Sequence, residues 1–287
     1  MQALTSPATI RALCEKHGFS LTKGLGQHFL TNPGVCAKIC EAAHLTENSR
    51  VLEIGPGFGT LTRQLALRAK QVVALEVDAR LLPVLDETLH GLANTTVVQG
   101  DVLKTDLAAL LTQQFGPGQP VQVCANLPYN ITSPVIMTLL EQKLPLASIT
   151  VMVQQEAARR ITAAPGTRQA GAITYAVHYY AQPQYHFSVS PGSFFPPPKV
   201  TSGVFSLHLR AAVPLAGQPQ REQRLFRLIR AAFGQRRKTL ANATAAGLAM
   251  EKQQVQTALA AALLPLNARA EQLTLEDYIR LEAALWP

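Results

Sequence analysis

Four short runs in this 287-residue chain carry groups that could act on one ligand. "EIGPGFGTLT" puts Gly55, Gly57 and Gly59 where a strand would turn into a helix near Thr60, so that backbone N–H groups can approach a bound molecule. Counted from Gly55, the G-x-G-x-x-G spacing of a dinucleotide site lands on Thr60, and from Gly57 on Thr62, so that pattern fails. The Lys-Ser/Thr pair of a phosphate-gripping loop is also missing. Glu76 closes the next strand-like run, 21 residues after Gly55, where a carboxylate can accept both hydroxyls of a ribose. Asp101, in "QGDVL", could take the exocyclic amine of an adenine. Either acid alone is more often a helix N-cap. Placed together behind a glycine turn, they describe a site for a nucleoside without phosphates and favour S-adenosylmethionine.

The fourth run is "NLPY", Asn126, Leu127, Pro128 and Tyr129. In isolation Asn-x-Pro is good turn chemistry. Delivered to the same edge as the glycines and both acids, it offers two acceptors, the Asn126 side-chain oxygen and the Pro128 carbonyl. Aimed at the N–H hydrogens of an adenine amine, they would counter delocalisation of its lone pair into the ring and turn that pair toward a sulfonium methyl. No base with a tuned pKa is required before attack, and holding the amine and the methyl in line supplies most of the acceleration. Tyr129 offers a flat face for a base taken out of its stack, and Phe194 or Phe195, beside the proline run of "SFFPPPKV", offers a second.

These groups need elements to hold them. Arg50–Gly55, Gln71–Val77, Thr95–Asp101, Val121–Leu127 and Ile149–Gln154 read as mostly apolar strands spaced for helices between them, as in a parallel α/β sheet. β-rich runs at Tyr175–Val189 and Gly203–Leu209 would complete it. "AAVPLAGQPQ", Ala211 to Gln220, reads as a linker, and the remainder is rich in helix formers. The expected organisation is an α/β Rossmann-like catalytic domain over 1–210, with a mostly parallel seven-stranded sheet, and a small all-helical domain over 211–287.

Composition excludes several classes. The chain has no apolar run long enough for a bilayer and no charged-then-apolar opening, so a soluble cytoplasmic protein is expected. The four cysteines form no C-x-x-C pair. Cys36, Cys40 and His44 would share a helix face, yet three ligands in a row along one helix cannot close a tetrahedral site, and no metal is expected. The net charge of +8 is concentrated: Arg221, Arg224, Arg227, Arg230, Arg236, Arg237 and Lys238 fall in one window with a single acid, Glu222. A helical reading sets Arg224, Arg227 and Arg230 opposite Leu225, Phe226, Ile229, Ala232 and Phe233. Such a stripe is commonly a solvated face, but a face built for solubility mixes both signs. This one suits a phosphate backbone.

Taken with "GLGQHFL", "ALEVD", "NLPYNITSPVI", "FFPPPKV" and "FGQRRKTLAN", these motifs resemble the ribosomal RNA adenine dimethyltransferases over almost the whole chain, with the small-subunit branch nearest. The resemblance implies S-adenosylmethionine as methyl donor, held by Gln27, His28, Leu30, Gly55, Gly57, Glu76, Asp101 and Asn126, and catalysis by Asn126, Leu127, Pro128 and Tyr129. It assigns the second stacking face to Phe194. It implies two N6-methyls on each of two adjacent adenosines in a hairpin loop near the 3′ end of 16S rRNA and an immature 30S subunit as partner, not DNA. Nothing in the sequence asks for a dimer or a membrane, so a monomer is expected. Gln155 and Ala170 depart from the pattern, where lysine and tyrosine are usual. Rival readings are the sister enzyme of large-subunit rRNA that confers antibiotic resistance, an N6-adenine DNA methyltransferase, and an RNA-binding assembly factor without catalysis. The proline usual in the DNA enzymes' motif is here Leu127, and an assembly factor has no need of Asn126, Glu76 and Asp101 together.

Overall fold

A computed structural model describes residues 4–19, 28–235 and 237–287. Contacts divide them into two units, Met1–Ala158 with Gln184–Leu209, and Arg159–Pro183 with Arg210–Pro287. The strands, in chain order, are β1 (Phe29–Leu30), β2 (Arg50–Ile54), β3 (Gln71–Glu76), β4 (Thr95–Gln99), β5 (Val121–Asn126), β6 (Leu146–Gln154), β7 (Ala181–Val189), β8 (Phe194–Phe195) and β9 (Ser202–Leu209).

Seven strands form one sheet in the order β4-β3-β2-β5-β6-β9-β7. The pairs among β4, β3, β2, β5 and β6 are parallel, and β9 runs antiparallel to β6. The apolar runs account for this. In β2, β3 and β5 nearly every residue is buried, as expected of strands covered on both faces, whereas β4 at the sheet edge is only half-buried. The strand order reverses between β2 and β5, and open α/β sheets bind ligands outside the strand ends at such a reversal. Both the glycine turn and "NLPY" leave the sheet there.

A separate ribbon was not legible in the sequence. β1 pairs antiparallel with β8, Phe29 opposite Phe195 and Leu30 opposite Phe194, which ties the "QHFL" run to the "FFPPPK" run. The Pro33–Ala42 segment is a helix that carries Cys36 and Cys40, both buried, but it ends before His44, whose φ of 51° lies outside any helix. The three residues therefore do not share a helix face.

In the second unit, Ala172–Tyr180 is a helix, so the expected strand over Tyr175–Val189 begins only at Ala181. Aromatic and β-branched residues favour strand locally, but here packing overrides them. Tyr175 meets Tyr278 edge-to-face and Phe233 at a tilt, and Tyr179 meets Phe226 edge-to-face, at ring separations of 4.9–5.4 Å. The Tyr175 hydroxyl donates to the Leu273 carbonyl at 2.6 Å. Helices Pro219–Phe233, Leu240–Leu248, Lys252–Ala261 and Leu275–Leu285 make up the rest. Gly247 lets two of them approach closely, since a Cβ there would stand 2.6 Å from that of Ala231.

Candidate active site

Residues of the first unit line one cleft at the strand ends: His28 to Leu30, Glu53 to Phe58 with Thr60 and Leu61, Leu75 to Val77, Leu81, Gly100 to Val102 and Asn126 to Ile131. His28, Leu30, Gly55, Gly57, Glu76, Asp101, Asn126, Leu127, Pro128 and Tyr129 are all among them. Gln27 lies outside the described residues.

The glycine turn is shaped by its neighbours. Gly57 has φ 59°, where side chains are strained, and a Cβ on it would come within 2.7 Å of the Phe29 ring. Its N–H donates to Glu76 Oε2 at 3.3 Å, while the Asp78 N–H donates to Oε1 at 2.9 Å. Glu76 is buried, and burial raises its pKa against the opposing pull of these two N–H donors. The carboxylate is thereby fixed at the end of β3. Asp101 is held by the Leu103 N–H, which donates to Oδ1 at 3.0 Å, with Lys104 3.7 Å from Oδ2.

Asn126 ends β5. Its Nδ2 donates to the His28 carbonyl at 3.0 Å. A carbonyl only accepts, so this contact settles which end of the amide is nitrogen and leaves Oδ1 as an acceptor. The His28 imidazole in turn bonds the Pro196 carbonyl through Nδ1 at 2.8 Å and stacks on Tyr129, with ring centres 5.8 Å apart. Tyr129 is pinned at its far end by Ser202, hydroxyl to hydroxyl, at 2.8 Å. Burial raises its pKa, so the phenol stays neutral and its ring is what it offers. The Pro128 carbonyl already accepts the Ile131 N–H at 3.2 Å and lies 3.5 Å from Thr132 Oγ1. A carbonyl has two lone pairs, so a target amine would share this oxygen with the turn. Leu127 is buried beneath, with its N–H bonded to the Met152 carbonyl.

Phe194 sits elsewhere. It is 4% exposed and packs in the core with Leu30, Cys36, Met152 and Val204, while its neighbour Phe195 is half-buried with the Arg11 guanidinium 5.2 Å from its ring centre. Neither ring lines the cleft. Glu53, the first residue of the "EIGPGFGTLT" run, lines it as well, though no role for it is legible in the sequence. Among the described residues, no group of three or more His, Cys, Asp or Glu is placed to hold a metal.

The basic window belongs to the second unit and divides in two. Arg221 pairs with the buried Glu282 at 2.8 Å, and Arg224 lies over the Trp286 ring with Nη1 3.4 Å from the Trp286 carbonyl. Arg227, Arg230, Arg237 and Lys238 are exposed. Arg236 lies outside the described residues.

Comparison with known proteins gives one consistent result. The family model for ribosomal RNA adenine dimethylase matches residues 18–285. The ribosomal RNA small subunit methyltransferase A of Alkaliphilus oremlandii is 42% identical over 97% of this chain and 96% of its own length. Among solved structures, the 23S rRNA methyltransferase ErmE superposes with a TM-score of 0.68 at 29% identity, over 90% of this chain and 99% of that one. A dimethyladenosine transferase from Plasmodium falciparum gives 0.70 at 27% identity, over 88% and 96%.

Proposed function

The chain belongs to the ribosomal RNA adenine dimethylase family, and from that premise we propose the reaction of its cleft: transfer of methyl groups from S-adenosylmethionine to N6 of two adjacent adenosines in a hairpin loop near the 3′ end of 16S rRNA. The observation that carries this reading is Asn126, whose amide nitrogen is held by the His28 carbonyl so that Oδ1 stands ready as an acceptor in a cleft shared with Glu76 and Asp101.

The residues present fit the donor. Glu76, whose carboxylate is braced by two backbone N–H groups, would accept the ribose hydroxyls, Asp101 would take the adenine amine, and the turn at Gly55 and Gly57 would let the backbone come close. His28 and Leu30 line the same cleft. S-adenosylmethionine, when bound, supplies a methyl group on a positively charged sulfur. Asn126 Oδ1 and the Pro128 carbonyl accept the two N–H hydrogens of the target amine, which favours a pyramidal nitrogen with its lone pair free to attack. Tyr129 carries the flipped base on its ring. After transfer the cationic nitrogen loses its proton to water, and the neutral Tyr129 phenol is not needed as a base.

Arg227, Arg230, Arg237 and Lys238 supply phosphate contacts in this reading, with Arg236 beside them in sequence. The substrate is the small subunit before maturation, the enzyme acts as a cytoplasmic monomer, and the helical region after 210 serves the RNA. Phe194 acts from the core, anchoring β8 against β1 so that the Pro196 carbonyl reaches His28. The experiment is to incubate the protein with labelled donor and with undermethylated small and large subunits separately, then locate label by digestion and mass. Two methyls on each of two adjacent small-subunit adenosines are expected. Label confined to large-subunit RNA would overturn the assignment in favour of the sister activity.

A further inference from the structure

The Pro128 carbonyl is asked to accept more hydrogens than it has lone pairs. It closes the turn that opens the Thr132–Glu141 helix, accepting the Ile131 N–H at 3.2 Å and the Thr132 hydroxyl at 3.5 Å. These two donors already draw on both lone pairs of the oxygen. Thr132 is 3% exposed, and among the described residues its hydroxyl has no other hydrogen-bond partner. A buried hydroxyl is costly to leave unpaired, so this one stays on the carbonyl four residues back. Asn126 is placed differently. Its amide nitrogen is taken up by the His28 carbonyl at 3.0 Å, which leaves the capacity of Oδ1 to a target amine. The two acceptors at the cleft are therefore unequal.

Two successive transfers to one nitrogen ask different things of them. An unmodified adenine brings two N–H hydrogens, one for each acceptor, and the second has to compete with Thr132 for the Pro128 carbonyl. After one transfer the amine carries a methyl and a single hydrogen. That hydrogen goes to Asn126 Oδ1, the better acceptor, and nothing further is required of Pro128. Each transfer forms one N–C bond as the bond from methyl to sulfur breaks. The sulfur keeps that electron pair, and the nitrogen then gives one proton to water.

We infer that Thr132 is a positioning residue that sets the product: by occupying the Pro128 carbonyl it holds back the first methyl transfer and leaves the second untouched, so that an adenosine once methylated is carried on to the dimethyl form. This rests on the reading of the cleft as a site of adenosine N6-methylation. A neutral hydrogen bond shifts an equilibrium by about threefold to tenfold, and one as long as 3.5 Å belongs at the lower end.

The test separates the two transfers. The full chain, in excess and with saturating S-adenosylmethionine, is mixed with undermethylated small subunits. Unmodified, N6-monomethyl and N6,N6-dimethyl adenosine are then counted by digestion and mass along one time course, which gives a rate constant for each transfer. In the wild type the second should be no smaller than the first. Thr132→Val keeps the shape and removes the hydroxyl, so its first rate constant should rise about threefold with the second unchanged, and the monomethyl form should build up. Thr132→Ser keeps the hydroxyl and should keep the wild-type ratio. A merely structural role would slow both transfers together, and a ratio in Thr132→Val unchanged from wild type would overturn the inference. So would a ratio altered only because the second transfer slows, which would mark the effect as one of bulk. A wild-type second rate constant well below the first would overturn it as well, even if Thr132→Val failed to fold. No methyl on any small-subunit adenosine would instead overturn the function on which the inference stands.

Discussion

Asn126 does two things with one amide. Its nitrogen is spent on the His28 carbonyl, and only the oxygen is left for chemistry. Asn126→Ala removes both, and kcat should fall by about a hundredfold to a thousandfold, the usual cost of losing one preorganised polar group at a transition state. RNA affinity should not change, since the exposed arginines are untouched. Measurable methylation close to wild type would sink the mechanism. Glu53 makes a different prediction, about stability. Burial, and after it Glu76, raise its folded-state pKa to about 8, above the ordinary 4.5, so between those values the native protein keeps a proton that the unfolded chain has released. Stability of the unliganded protein therefore falls as pH rises through this window, by up to about 1.4 kcal/mol per unit, and levels off above it. Melting Glu53→Gln against wild type should show equal Tm near pH 4.5 and a variant that is the more stable at pH 8. Parallel melting profiles would mean that Glu53 ionises freely. The catalytic tetrapeptide and Glu76 were legible in the sequence because motif and strand end coincide. Glu53 was not, because burial and the loss of partners are properties of the packed sheet.

At the scale of elements, the site depends on a turn and a two-strand ribbon pressed together. Gly57 allows both the positive φ and the contact with Phe29, and its N–H steadies Glu76. Gly57→Ala should cost at least about 1–3 kcal/mol, since strain in the turn adds to a clash that must move the β1 ribbon. Donor affinity, measured by titration, should fall with it. A variant that binds donor as tightly as wild type would show that the ribbon has room to retreat. The turn itself could be read from "GPGFG". The ribbon could not, because two-residue strands as far apart in the chain as Leu30 and Phe194 leave no periodicity to detect. The helix Ala172–Tyr180 was misread as strand for a related reason. Its tyrosines favour strand locally, and only their burial against Phe226, Phe233 and Tyr278 makes a helix the better solution.

For the whole molecule, the question is where a net charge of +8 acts. The sequence places most of it in one window, but a count of charges cannot say which of them are already engaged. Glu282 stands 61 residues from Arg221 in the chain, so nothing near the window announces their pairing. The seven basic residues should accordingly behave as two classes. Arg227 and Arg230 are exposed, and changing both to Gln should weaken subunit binding and reduce the slope of log affinity against log salt by about one to two, because two fewer counterions are released. Tm and donor affinity should stay as in wild type. Arg221→Gln should do the reverse. Its partner is fully buried while Arg221 itself is 34% exposed, so the change strands a carboxylate in the interior at a cost of a few kcal/mol, roughly 1–3 after allowing for solvent around the arginine. The readout is a lower Tm with the salt slope unchanged for whatever fraction remains folded. If Arg221→Gln instead flattened the salt slope as Arg227→Gln with Arg230→Gln does, the ion pair with Glu282 would have to open when RNA binds, and Arg221 would join the phosphate-contacting class.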